Sequence, residues 1–175
     1  MNLNILSFNW HEPYLCLLSE IGHRFLIIEP EITTGKYRQW DKNMRPIPSN
    51  VRLVSEKEAI SQLDKGEIDI IIAHNVKDLV KLNSYILPKI LVFHNRLSTE
   101  ISLGNTKINH EEYLDKINPL LAGVKKVFIS ENKRLDWGFD GEVILPGIDV
   151  DLYGKYTGDN RAVLRVGNHL KERDL

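Results

Sequence analysis

The 175-residue chain has a single cysteine, Cys16, so it can form no intrachain disulfide. A lone cysteine in an apolar run is ordinarily a small core hydrophobe, and such sparse usage fits a reducing compartment better than secretion. The apolar start is short and broken by Asn2, Asn4 and Asn9, which is not the form of a signal peptide. No uncharged run approaches the roughly 18 residues of a membrane span. These absences lead us to expect a cytoplasmic chain with at most peripheral contact at the inner face of the membrane. A large excess of either charge is also missing. With 23 Lys and Arg against 24 Asp and Glu, the formal charge is -1, which gives no electrostatic ground for a nucleic-acid partner.

Glycine is absent before Gly22. A dinucleotide fingerprint, G-x-G-x-x-G directly after the first strand, is therefore excluded, because its tight turn and close phosphate approach need those glycines. No G-x-x-x-x-G-K-S/T loop and no G-x-S-x-G elbow occurs. A phosphorelay receiver would need several acidic residues after the first strand, and only Glu12 is there. No His or Cys spacing matches a zinc site, so no metal is expected.

The residues present alternate between short apolar runs and amphipathic stretches. Leu3 to Phe8, His23 to Glu29, Val51 to Val54, Ile68 to Ala73, Lys89 to Phe93 and Lys125 to Ser130 read as strands, followed by a last run, Val143 to Leu145. Between them Pro13 opens a helix as its first residue, carrying Tyr14, Leu15, Leu17, Leu18 and Ile21, with Gly22 suited to the turn beyond. Ser55 and Glu58 fit a capping box. Asn75 caps a helix expected to run through Tyr85, with Leu79, Val80, Leu82 and Ile86 on its apolar side. Ser98 to Asn109 reads as loop. Tyr113 to Leu121 is a further helix, bent or ended at Pro119. Strands alternating with helices predict an α/β fold, a doubly wound parallel sheet in three α/β/α layers.

Ligands of such sheets bind beyond the carboxyl ends of the strands, where the strand order reverses. The candidate site residues are therefore those that follow each strand: Asn9, Trp10, His11 and Glu12; His74 and Asn75; His94, Asn95 and Arg96; Ser130 and Asn132. Three of the six histidines stand at such places. A neutral imidazole donates and accepts at once, which suits hydroxyl ligands, and it can act as a base near neutral pH. Pro30 to Asn50 has no steady period and carries Lys36, Tyr37, Arg38, Trp40, Lys42 and Arg45, either a surface for an anionic or amphipathic ligand or a solvated loop.

Val127 to Gly154 carries the most specific pattern. Ser130, Arg134, Val143, Ile144, Pro146, Gly147, Ile148, Asp149 and Tyr153 resemble the end of the N-terminal domain of glycogen-synthase-like, retaining GT-B glycosyltransferases of family 4. There a strand ends in Ser, a basic residue follows in the helix, and a later strand runs into V-I-P-x-G-I/V-D. This chain has one residue fewer between Pro and Gly. Ala162 to Asp174 resembles the first strand and glycine loop of the family's second domain.

The resemblance implies a Rossmann-like acceptor-side domain over 1–154, the N-terminal half of a GT-B architecture, and a linker and first strand of a truncated donor domain over 155–175. It implies transfer of a sugar from a nucleotide-sugar to a hydroxyl acceptor, a glycan or a lipid-linked acceptor, with no resident cofactor. His94 matches the family's histidine facing the transferred sugar, and His74 another polar position. Asn9, Trp10, His11 and Glu12 would shape the acceptor entrance. Ser130, Asn132, Arg134, Gly147 and Asp149 would lie along the donor cleft. The family's first loop usually carries glycines, and this one has none. The missing half-site would leave the isolated chain without turnover. A non-catalytic binding or regulatory module of the same fold is the alternative, and a sugar-phosphate isomerase or epimerase a third.

Overall fold

A computed structural model describes residues 2–31, 39–43, 45–104, 108–148 and 151. Its strands are β1 (Asn4–Phe8), β2 (Arg24–Ile28), β3 (Val51–Val54), β4 (Ile70–Ala73), β5 (Lys89–Phe93), β6 (Lys125–Phe128) and β7 (Glu142–Val143). The helices are α1 (Glu12–Ser19), α2 (Glu56–Asp64), α3 (Val76–Lys81), α4 (Leu97–Leu103), α5 (His110–Ile117) and α6 (Glu131–Trp137). A 3-10 turn, Asn118–Leu121, extends α5 past Pro119.

All seven strands pair in parallel, in the order β3-β2-β1-β4-β5-β6-β7. This is the doubly wound, Rossmann-like arrangement that the alternation of strands and helices predicts. The alternation of side chains along each strand divides the core between the two faces. Ile5, Phe25, Ile27, Ile72 and Val92 face one side, where α1 lays Leu15 and the later loop lays Trp40. Leu6, Phe8, Leu26, Ile28 and Ile71 face the other, against Ala59 and Leu63 of α2. On that same side Leu91, Phe93 and Phe128 pack under Leu79, Leu97, Ile101, Ile117 and Trp137 of the remaining helices. Burying both faces is what makes each strand read as a near-continuous apolar run.

Several helix starts follow their local chemistry. The Ser55 hydroxyl accepts from the Glu58 N–H at 3.2 Å, and Asn75 Oδ1 accepts from the Asp78 N–H at 2.8 Å. Each satisfies a backbone donor that the helix itself cannot. The Glu58 carboxylate pairs with Arg52.

The structure corrects the sequence reading at four places. Leu97–Leu103 is helix, not loop, because Leu97 and Ile101 bury one turn apart and the Leu97 N–H is held at 2.7 Å by Asp136 Oδ2 from α6. Helix α3 ends at Lys81 rather than near Tyr85. Leu82 leaves helical geometry at φ -113°, Val80 is half exposed and Ile86 fully exposed. The last strand is Glu142–Val143, and Ile144 and Leu145 are exposed beyond it. Helix α1 starts at Glu12, one residue before Pro13. Among the described residues no helix is long and apolar enough to cross a membrane.

Candidate functional site

The strand order reverses at β1, whose neighbours are β2 and β4. The chain leaves the ends of these two strands in opposite directions, and a crevice opens between them. It is a cleft of about 670 Å³. Phe8, Trp10, Ile28, Pro30 and Ile60 give its apolar wall, and Asn9, Asn75, Lys77, Asp78 and Lys81 are among its polar lining. Lys81 Nζ stands 6.0 Å from the centre of the Phe8 ring and pairs with Glu56 Oε2 at 3.0 Å.

Behind this cleft lies a cluster of rings. The Trp10 indole stacks on the His94 imidazole, centroids 4.0 Å apart and planes at 25°. Tyr14, in the first turns of α1, meets His94 edge-on at 4.6 Å. His74 and His94 are both buried, at 2% and 8% exposure. His74 Nδ1 and His94 Nε2 are 3.1 Å apart, and His74 Nε2 is 2.9 Å from the hydroxyl of Ser7. That hydroxyl donates to the Ile72 carbonyl at 2.8 Å, because Ser7 and Ile72 sit opposite each other in the β1–β4 ladder.

Burial holds both imidazoles neutral. His74 is pushed down to about 3 by loss of water, then by His94 and His11. His94 falls to about 3 by burial, then by His11 and Lys133. The pair can therefore exchange hydrogen bonds with a neutral ligand, but neither ring carries a charge at neutral pH. The space directly around His94 is only about 10 Å³, shared with Asn75, Asn95, Glu100 and Trp137. Trp10 lines the open cleft and covers His94, so it stands between the two.

One buried carboxyl, Asp78, and one partly buried, Glu100, join this region from helices. Asp78, in the cleft, accepts from Asn75 Nδ2 at 2.7 Å. Burial raises it to about 7, partly offset by a hydrogen bond from the His74 backbone N–H. Glu100 on α4 is raised by burial and accepts from Asn95 Nδ2 at 3.3 Å. Ser7, Tyr14, Asp78 and Glu100 were not among the sequence candidates. Ser7 had one signal, a hydroxyl inside the otherwise apolar ILSF, and Glu100 was hidden in a stretch read as loop.

The other sequence candidates are placed as follows. His11 is the residue before α1, its ring 5.5 Å from that of Trp10. Glu12 is buried, and its Oε1 accepts from the Asp41 N–H at 2.8 Å, tying the later loop to α1. Trp40 is buried in that loop, held through its own N–H by Glu29 Oε1 at 2.6 Å and through Nε1 by the Arg45 carbonyl. Lys42 and Arg45 are exposed, and Lys36, Tyr37 and Arg38 lie outside the described residues. The Asn95 carbonyl accepts from Trp137 Nε1 at 2.9 Å, and Arg96 is exposed at the start of α4. Ser130 caps α6 by accepting from the Lys133 N–H, and Asn132 is exposed. Arg134 is bound to Glu131, with Nε to Oε2 at 3.0 Å, and does not line the cleft or the space around His94. Gly147 is exposed with open space around it, and Asp149 lies outside the described residues.

Among the described residues no group of three or more His, Cys, Asp or Glu side chains is placed to hold a metal ion. No family model matches the chain, and no curated protein does.

Proposed function

We propose that this chain is the acceptor-side domain of a retaining GT-B glycosyltransferase, moving a sugar from a nucleotide-diphosphate donor to a hydroxyl acceptor. The observation that carries the reading is the position of Trp10. It joins a 670 Å³ cleft at the strand-order reversal to a neutral, buried imidazole pair. An indole face suits the apolar face of a sugar ring. A neutral His94 offers hydrogen bonds to hydroxyls without attracting a free anion. In this reading the cleft takes the acceptor, a glycan or a lipid-linked one, and His94 lines the transferred sugar. The donor's diphosphate requires positive charge that a second domain would supply.

The test is sugar transfer by the whole gene product, assayed with a panel of nucleotide-sugars. We expect product from one donor and a loss of at least about tenfold in kcat/KM for His94→Ala. An unchanged rate and donor affinity in that variant would remove His94 from the mechanism. A non-catalytic binding module is the second reading, favoured by the 10 Å³ of space at His94. Hydroxyl ligands binding in the cleft without transfer by the whole gene product would select it.

A further inference from the structure

We infer that Ser7 and His74 are positioning residues that lock His94 in a single tautomer, with Nε2 protonated and Nδ1 left as a hydrogen-bond acceptor. The assignment follows from counting protons along the chain of contacts. A serine hydroxyl has one proton. Ser7 spends it on the Ile72 carbonyl, which cannot donate, at 2.8 Å. Its oxygen can then only accept from His74 Nε2, 2.9 Å away. His74 therefore carries its proton on Nε2, and as a neutral ring it has a bare Nδ1. That nitrogen lies 3.1 Å from His94 Nε2, so His94 must donate there. His94 Nδ1 is then bare in turn.

The scaffold holds this order in place. Ser7 and Ile72 face each other in the β1–β4 ladder, and Ser7 is fully buried, away from bulk solvent. Trp10 packs on one face of His94 and Tyr14 meets the ring edge-on, which fixes its plane. Burial keeps both rings neutral, so neither can satisfy the chain by taking a second proton.

The consequence is selective. At Nδ1, His94 accepts from a hydroxyl and repels a carbonyl or phosphate oxygen. The group that meets that atom must be a hydrogen-bond donor, as a sugar hydroxyl is. The lock is a property of this chain alone, and its use in sugar recognition rests on the function proposed above.

The experiment is long-range proton–nitrogen NMR of the 15N-histidine-labelled chain at neutral pH. His74→Gln and His94→Gln variants each remove one set of signals and so assign them. We expect both rings to show a protonated Nε2 and a bare Nδ1. Ser7→Ala should leave His94 divided between tautomers, and Ser7→Thr should restore the single form. A wild-type His94 protonated on Nδ1, or charged, overturns the inference, and so does a Ser7→Ala spectrum identical to wild type. The assigned wild-type spectrum is decisive even if Ser7→Ala fails to fold. It involves no transfer assay, so a lock without activity sinks only the proposed function.

Discussion

The planes of Trp10 and His94 lie 25° apart at a centroid distance of 4.0 Å, so the indole covers one face of the imidazole. Removing that cover should expose the histidine more than it unsettles the fold, because Trp10 stands at the cleft rather than in the core. Trp10→Ala is expected to speed diethylpyrocarbonate labelling of His94 several-fold and to cost about 1 kcal/mol of stability, the scale of one aromatic pair. Mass-spectrometric labelling rates and urea unfolding measure the two effects. Unchanged labelling would show that the cover is not Trp10.

Stability should fall on acidification, beginning near the ordinary histidine range. His74 and His94 stay neutral in the fold down to about 3, whereas the unfolded chain protonates them near 6.5. Between these values the unfolded state binds more protons. The stability from each neutral ring is complete above 6.5 and is lost as pH falls toward 3, at up to about 1.4 kcal/mol per pH unit. Asp78 acts in the opposite sense. It holds a proton up to about 7 in the fold and only to 3.8 when unfolded, so it adds stability as pH falls through that window. Asp78→Asn should therefore steepen the acid loss. Urea midpoints from pH 4 to 7 give both slopes, and equal slopes would contradict the assigned burial of Asp78.

Two caps should differ in cost although their chemistry is alike. Ser55→Ala removes one acceptor for the Glu58 N–H and is expected to cost about 1 kcal/mol. Asn75→Ala removes the acceptor for the Asp78 N–H and also the donor to the buried Asp78 carboxyl. Its cost should be larger, about 2 kcal/mol. Chemical denaturation of the two variants under one buffer condition compares them directly.

Gly141 is constrained by its neighbours, with no positive φ involved. A Cβ there would lie 2.7 Å from the Lys126 carbonyl oxygen and 2.8 Å from the Phe128 ring. Gly141→Ala should therefore push β7 off β6 and cost about 1–3 kcal/mol. Gly123, at φ +73° with open space around it, should lose only about 1 kcal/mol as alanine. A reversed order in urea midpoints would contradict the packing of β7.

The parts legible in the sequence were those written locally. A strand buried on both faces announces itself as VRLV or KILVF, and Ser55 and Asn75 cap helices that start beside them. Helix α4 was illegible because its first N–H is held by Asp136, 39 residues later. The histidines could be picked out from their places after strands. Their connection through Ser7 could not, since it depends on residues 67 apart meeting across the sheet. Glu12 shows a further limit. A carboxylate after a strand reads as a ligand group, and here it fastens a loop.

The strand order also has a consequence for the timing of folding. Strand β1 precedes the other six in the chain yet lies inside the sheet, and its contact with β4 joins Ser7 to Ile72, 65 residues apart. Closing so long a loop costs entropy before any pairing rewards it. During synthesis β1 can pair early with β2, which follows it closely, but its other edge must wait for β4. The His74 to Ser7 contact is therefore completed only when the two halves of the sheet close on each other.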